Sequence, residues 1–244
     1  MKRIVNVFFA VILAAALLTG CGAQEEPSME GEQLDTKLSL EENFDTFPQY
    51  ADEETLLLSL EKNIKVNVGP ASKTKGFFKY DLKSDTLEQV IPLDLNAQIR
   101  SAVPFGDAVL YVDYAEKDES LEWTVVHFEN GVKQDLRSGT CAGYEDLPEL
   151  SVLEGSPVIL WKDSKKETFG LEIFDGADLS EIELPKDQNL VSTDSACNTK
   201  EICFLTKNDA GDARFLIVGK NGEIGSVTLD GRITSFGRSG LRAW

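Results

Sequence analysis

Histidine is nearly absent from this sequence, with one residue in 244, and cysteine is scarce, with four. A Cys/His zinc centre needs three or four such ligands in convergent spacing, so that class of metal site is not expected. Basic residues are also few: 24 Lys and Arg stand against 42 Asp and Glu, for a formal net charge of −18. Nucleic-acid phosphates are bound by clustered cations, so no nucleic-acid partner is expected. No P-loop, nucleophile elbow or dinucleotide fingerprint occurs, and neither a cofactor nor a catalytic residue is assigned. His127 alternates with Trp123 and Val125 along one strand face and has no second histidine. A general base needs an orienting partner, so His127 reads as a packed side chain. The composition is 42% hydrophobic, enough for the core of one medium domain or two small ones.

Long apolar runs are missing except at the start. Lys2 and Arg3 precede a run from Ile4 to Leu18 in which Asn6 is the one polar residue. Two cations, an apolar stretch and small residues before a break make a secretory signal, and the run is short for a membrane span of about 20 residues. The next residues are Leu18-Thr19-Gly20-Cys21. This tetrapeptide resembles the lipobox of bacterial lipoproteins. The resemblance implies cleavage between Gly20 and Cys21, lipidation of Cys21, and a chain held at the outer side of the cell membrane by its lipid. Each buried CH₂ contributes about 0.8 kcal/mol, so a two-chain anchor holds firmly.

Residues 21–54 follow as the lipidated cysteine and an acidic tether. Between 22 and 54 eleven acids stand against a single base, Lys37. Such a stretch self-repels and buries little, which is the behaviour of a spacer. Phe44, Phe47 and Tyr50 are the residues in it suited to docking on a domain.

From residue 55 the pattern becomes short runs of Val, Ile, Leu, Phe and Tyr broken by turn residues, the signature of strands. One strand type recurs as Phe77–Asp81, Val125–Glu129, Leu171–Asp175 and Phe215–Val218. Its members Tyr80, Phe128, Phe174 and Val218 stand 48, 46 and 44 residues apart. A second type follows after a turn: Thr86–Ile91, Val132–Arg137, Leu179–Leu184 and Ile224–Leu229. Two of these turns are Asn-Gly, at Asn130-Gly131 and Asn221-Gly222, the strongest short hairpin signal. Two more types precede them, at Ile64–Val68, Ala108–Tyr114, Pro157–Lys162 and Glu201–Thr206, and at Thr55–Leu60, Ile99–Val103, Glu149–Leu153 and Leu190–Ser195. Four strands per period of about 46 residues resemble the blades of a β-propeller. The expected fold is therefore all-β, a propeller-like array of about four four-stranded blades over 55–237, complete or incomplete. Residues 238–244 follow as a basic tail or a truncated end. Residues 233–237 have the pattern of a further first strand or a closing strand.

Oxygen-rich loops between the second and third strands carry Asp113, Glu116, Asp118, Glu119, Asp163, Asp209 and Asp212 at one end of the array. None has calcium-loop spacing, so no metal is assigned. Tyr114 and Trp161, near the ends of second strands, are candidates for an aromatic binding platform, with Asp113 and Asp163 beside them. Cys197 and Cys203 flank a turn and are candidates for a disulfide, against the alternative that they are buried free thiols. The functional expectation is a lipid-anchored, non-enzymatic binding or scaffold protein of the bacterial cell envelope. Its partner would be an envelope protein, a peptide or a glycan. Two alternatives stand beside it: an extracytoplasmic hydrolase or lyase using Asp113 with Asp163, and a fragment of a longer propeller lipoprotein.

Overall fold

A computed structural model describes residues 44–228 apart from 66–69, 93 and 223. Its strands form four antiparallel four-stranded sheets, each built from consecutive segments. The first contains β1 (Phe44–Ala51), β2 (Thr55–Lys65), β3 (Pro70–Asp81) and β4 (Thr86–Ile91). The second contains β5 (Ile99–Phe105), β6 (Ala108–Lys117), β7 (Ser120–Glu129) and β8 (Val132–Cys141). The third contains β9 (Glu149–Leu153), β10 (Ser156–Asp163), β11 (Thr168–Phe174) and β12 (Leu179–Ile182). The fourth contains β13 (Asn189–Cys197), β14 (Glu201–Lys207), β15 (Ala213–Gly219) and β16 (Ile224–Thr228). The first strands β1, β5, β9 and β13 neighbour one another in that order, so the sheets succeed one another like blades with their first strands innermost.

Local chemistry sets the hairpins. Asn130 and Gly131 both take positive φ, 51° and 81°, as a two-residue turn between right-twisted strands requires. Glu154 and Gly155 do the same at 46° and 78° without an asparagine to announce it. A single sheet leaves apolar side chains on both faces, and stacking covers them. Leu57, Phe77 and Ile91 of the first sheet meet Val109, Tyr111, Val126 and Phe128 of the second. Val103, Leu110, Val112 and Trp123 of the second meet Leu150, Ile159, Trp161 and Phe174 of the third. Leu153, Val158 and Leu160 of the third meet Leu190, Ile202, Phe204 and Val218 of the fourth.

Three of the four repeats follow the expected strand order. In the first, Phe77–Asp81 and Thr86–Ile91 lie in the third and fourth strands as expected, and only the start of the sheet differs. Thr55–Leu60, expected as a first strand, is the opening half of the second strand β2, and the first strand is β1 at Phe44–Ala51. Among the described residues the sheet array thus reaches back to residue 44, inside the segment expected to be tether. Tyr50 explains why: it packs against the cores on both sides of the second sheet, and that burial outweighs the acidic composition around it. Pro48 sits where the β1–β2 register shifts, the kind of irregularity that accommodates a residue without a backbone N–H. The leader, Gly20, Cys21 and residues 21–43 lie outside the described residues, as do 233–237 and the tail 238–244.

Candidate functional site

The first strands begin, and the second strands end, at the same end of the sheet array. Arg100, at the start of β5, has become the centre of that end. The residue is 8% exposed, with Nη2 3.1 Å from Asp194 Oδ1 on β13 and 3.5 Å from Glu149 Oε2 on β9. Three successive sheets therefore meet on one cation. Burial opposes the charge, and Glu149, Tyr144 and Asp194 outweigh that opposition, so the pKa of Arg100 is raised and it stays charged.

Tyr144 lies over this cation. It opens a 3₁₀ turn (Tyr144–Asp146) between β8 and β9, and the Arg100 guanidinium carbon stands 4.5 Å from its ring centroid. Tyr114 meets the same ring edge-on at 5.8 Å. The turn is fastened from three sides. Thr193 Oγ1 donates to the carbonyls of Glu145 and Leu147, Lys162 Nζ donates to Asp146 Oδ1 at 2.9 Å, and Cys141 Sγ donates to Gly143 O at 3.3 Å. Tyr144 nevertheless leaves 47% of its surface in solvent. Burial, with Tyr144 beside it, pushes the Tyr114 hydroxyl up to about 12, so it remains a neutral donor. Glu61, on β2, lies close enough to Tyr114 to act on it electrostatically, which brings the first sheet to this end as well.

Of the residues singled out from the sequence, Tyr114 belongs to this constellation and the others do not. Trp161 is 7% exposed, lies flat on Gly170 of the neighbouring strand, and has the Arg137 guanidinium 3.6 Å above its ring. It fastens the second sheet to the third and offers no open platform. Asp163 is buried and holds its own turn, accepting from the backbone N–H groups of Lys165 and Lys166 and pairing with Lys166 Nζ at 3.3 Å. Burial raises its pKa, but these donors outweigh burial and hold it below the usual carboxylate range. Asp113 is pushed up by burial and answers to Lys133, Asp135 and Lys73. The two aspartates share no partner among the described residues.

The disulfide expectation needs correction. Cys197 stands opposite Ile202 and Cys203 opposite Ala196 across the β13–β14 pair. Neighbouring residues on a strand point to opposite faces, so the two thiols project from opposite sides of the sheet. Cys141, Cys197 and Cys203 are all free. Burial pushes Cys141 up to about 11, helped by Asp146, and pushes Cys197 up to about 11, so neither is a ready nucleophile at neutral pH. His127, read as packed, is 7% exposed with its ring 5.1 Å from that of Phe174.

Arg100, Tyr144, Glu149 and Asp194 were not singled out from the sequence. A signal for three of them existed: Arg100, Glu149 and Asp194 are ionisable residues lying in expected first strands. An ionisable residue in an inner strand needs a partner of opposite charge, and the first strands of the next two sheets supply it.

A cleft of about 460 Å³ lies between the end of β12 and the start of β13, lined by Phe169, Gly170, Leu184, Pro185 and Gln188 among others. The Gln188 amide is already engaged, donating to Asp187 and accepting from Thr206.

No family model matches this chain, and no curated protein matches it. Among solved structures, the crystal structure of an uncharacterised protein from Listeria monocytogenes EGD-e is similar at a TM-score of 0.33 and 11% identity, covering 83% of this chain and 69% of that one.

Proposed function

We propose that this chain is a lipid-anchored binding or scaffold protein on the outer side of the bacterial cell membrane, without enzymatic activity. Cys21 carries the lipid, and the four sheets are propeller blades that present one end to an envelope partner. The observation that supports binding is Tyr144. A large aromatic ring on a well-fastened turn, half in solvent and backed by a buried arginine, has the composition of an interaction anchor, where Tyr and Arg are enriched. The arginine behind it is held in turn by Glu149 and Asp194, so three successive sheets support the ring.

The test has two arms. Expression of the full chain and its Cys21→Ser variant with labelled palmitate should give a labelled, membrane-bound wild type and an unlabelled variant released from the membrane. Cross-linking on whole cells should then join the wild type to an envelope component, and Tyr144→Ala should lose that product at unchanged melting temperature. A wild type that stays unlabelled in the cytoplasm overturns the anchor. A cross-linking pattern indifferent to Tyr144 overturns the site.

A further inference from the structure

The cleft beside β12 borders a sheet edge that is left open. β10 pairs with β11 along Thr168–Ile173, whereas β12 pairs only with Leu171–Phe174. Thr168, Phe169 and Gly170 thus have a strand on the β10 side and, among the described residues, none on the other. In the second sheet, by contrast, β8 accompanies β7 from Leu121 to Glu129. The chain leaves the third sheet after Ile182. Pro185, which has no N–H to donate, accepts from Gln188 N at 3.3 Å in the turn toward β13. An open run of strand backbone beside a cleft takes an extended segment as an added strand. Phe169, Leu184 and Pro185 give the cleft an apolar wall, and the first two pack on the core between the third and fourth sheets. Its exposed lining residues are Glu181, Glu183 and Lys186.

A second observation says what fits there. Thr228, at the end of β16, stands opposite Arg214 on β15. Arg214 Nη2 is 3.9 Å from Asp187 Oδ2, and Asp187 adjoins Gln188 of the cleft lining. Near the start of β16, a Cβ on Gly222 would stand 3.8 Å from Ile182 Cγ2 at the end of β12. β16 therefore runs beside the connection that forms the cleft, and the residues after Thr228 set out next to it. From Thr228 to Ile233 an extended chain reaches about 17 Å. Residues 233–237 read Ile-Thr-Ser-Phe-Gly, with Arg232 and Arg238 on either side. That is a strand pattern with one large aromatic residue and flanking cations.

We infer that residues 233–237 of the same chain occupy this cleft and add a short strand to β11 at Thr168–Gly170. Phe236 lies against Phe169 and Leu184, and Arg232 and Arg238 bring their charge to Glu181 and Glu183. The segment ties the fourth sheet to the edge of the third, independently of the lipid anchor and of the Tyr144 end.

Amide hydrogen exchange on the full-length chain in detergent, read by mass spectrometry, tests this. Peptides covering 168–170 and 233–237 should both exchange at least about tenfold more slowly than an unstructured chain. Phe236→Asp should release both while β6 and β7 keep their protection, and Phe236→Leu should leave both slow. Fast exchange at 233–237 in the wild type overturns the inference. Slow exchange at 168–170 that ignores Phe236→Asp also overturns it, since another occupant then covers the edge. Protection that falls on dilution overturns it as well, because the segment then comes from a second copy. None of these outcomes touches cross-linking through Tyr144, so the binding role stands or falls separately.

Discussion

The junction between the second and third sheets differs in kind from that between the first and second. The former combines two tryptophans with half-buried ion pairs. Trp123 and Trp161 lie over Gly139 and Gly170, Arg137 stacks on Trp161 and pairs with Glu172, and Lys162 pairs with Asp146. The latter is aliphatic and aromatic, with Phe77 stacked on Tyr111 at 6.0 Å. Its polar ties lie at the surface, such as Lys79 Nζ donating to Gly106 O at 2.8 Å. Apolar contact resists change in pH and salt, whereas half-buried ion pairs fix geometry and hold only while both partners are charged. The end that carries Tyr144 is built on the charged junction.

The largest effect should come from Arg100→Met. It leaves Glu149 and Asp194 buried without their cation and should cost about 3–5 kcal/mol in urea unfolding at neutral pH. Phe77→Ala should cost a similar amount, about 3–5 kcal/mol, through a cavity. Acid separates the two. Protonation of the stranded carboxyls should recover much of the Arg100→Met deficit, while the Phe77→Ala deficit should not respond. Equal pH profiles would erase the distinction drawn between the junctions.

Gly170→Ala should follow. A Cβ there would stand 2.7 Å from the Trp161 ring, and overpacking of this kind costs about 1–3 kcal/mol. The cost should fall when Trp161 is also made smaller, as a double-mutant cycle would read. Arg137→Lys should cost about 1–2 kcal/mol through loss of the planar stack on Trp161. Lys79→Met at the other junction should cost less than about 1 kcal/mol, since its bond is exposed.

The smallest effects are two opposed slopes in stability against pH. Asp163 has its folded pKa below the usual value, so its contribution is present at neutral pH and is lost as pH falls through that lowered pKa. Asp113, which answers to Lys73 of the first sheet, has its folded pKa raised, so stability falls as pH rises from the usual carboxylate value through the raised one. Asp163→Asn and Asp113→Asn should each flatten one slope in acid titrations followed by circular dichroism.

The strand order was legible wherever turn chemistry and apolar runs agreed, which covers the second, third and fourth sheets. In the first sheet it held for the third and fourth strands and missed the opening one, because β1 contains Asp45, Pro48 and Gln49 and runs into Asp52-Glu53-Glu54, so local composition spoke for a spacer. Only the distant packing of Tyr50 makes that segment a strand, and no local window contains it. The candidate site was legible at Tyr114 alone. Trp161 was recognised as special, but its side of the sheet depends on β11, where Gly170 leaves room for the ring. The Arg100 cluster joins residues 49 and 94 positions apart in sequence, and only the stacking of the sheets brings them together.

The placement of the tryptophans has an optical consequence. Two of the chain's three lie within one seam, 2% and 7% exposed, and one of them is covered by a guanidinium. Their emission colour is therefore a spectator of that seam. A partner that pried apart the second and third sheets would redden it, while loosening of the outer sheets would pass almost unseen.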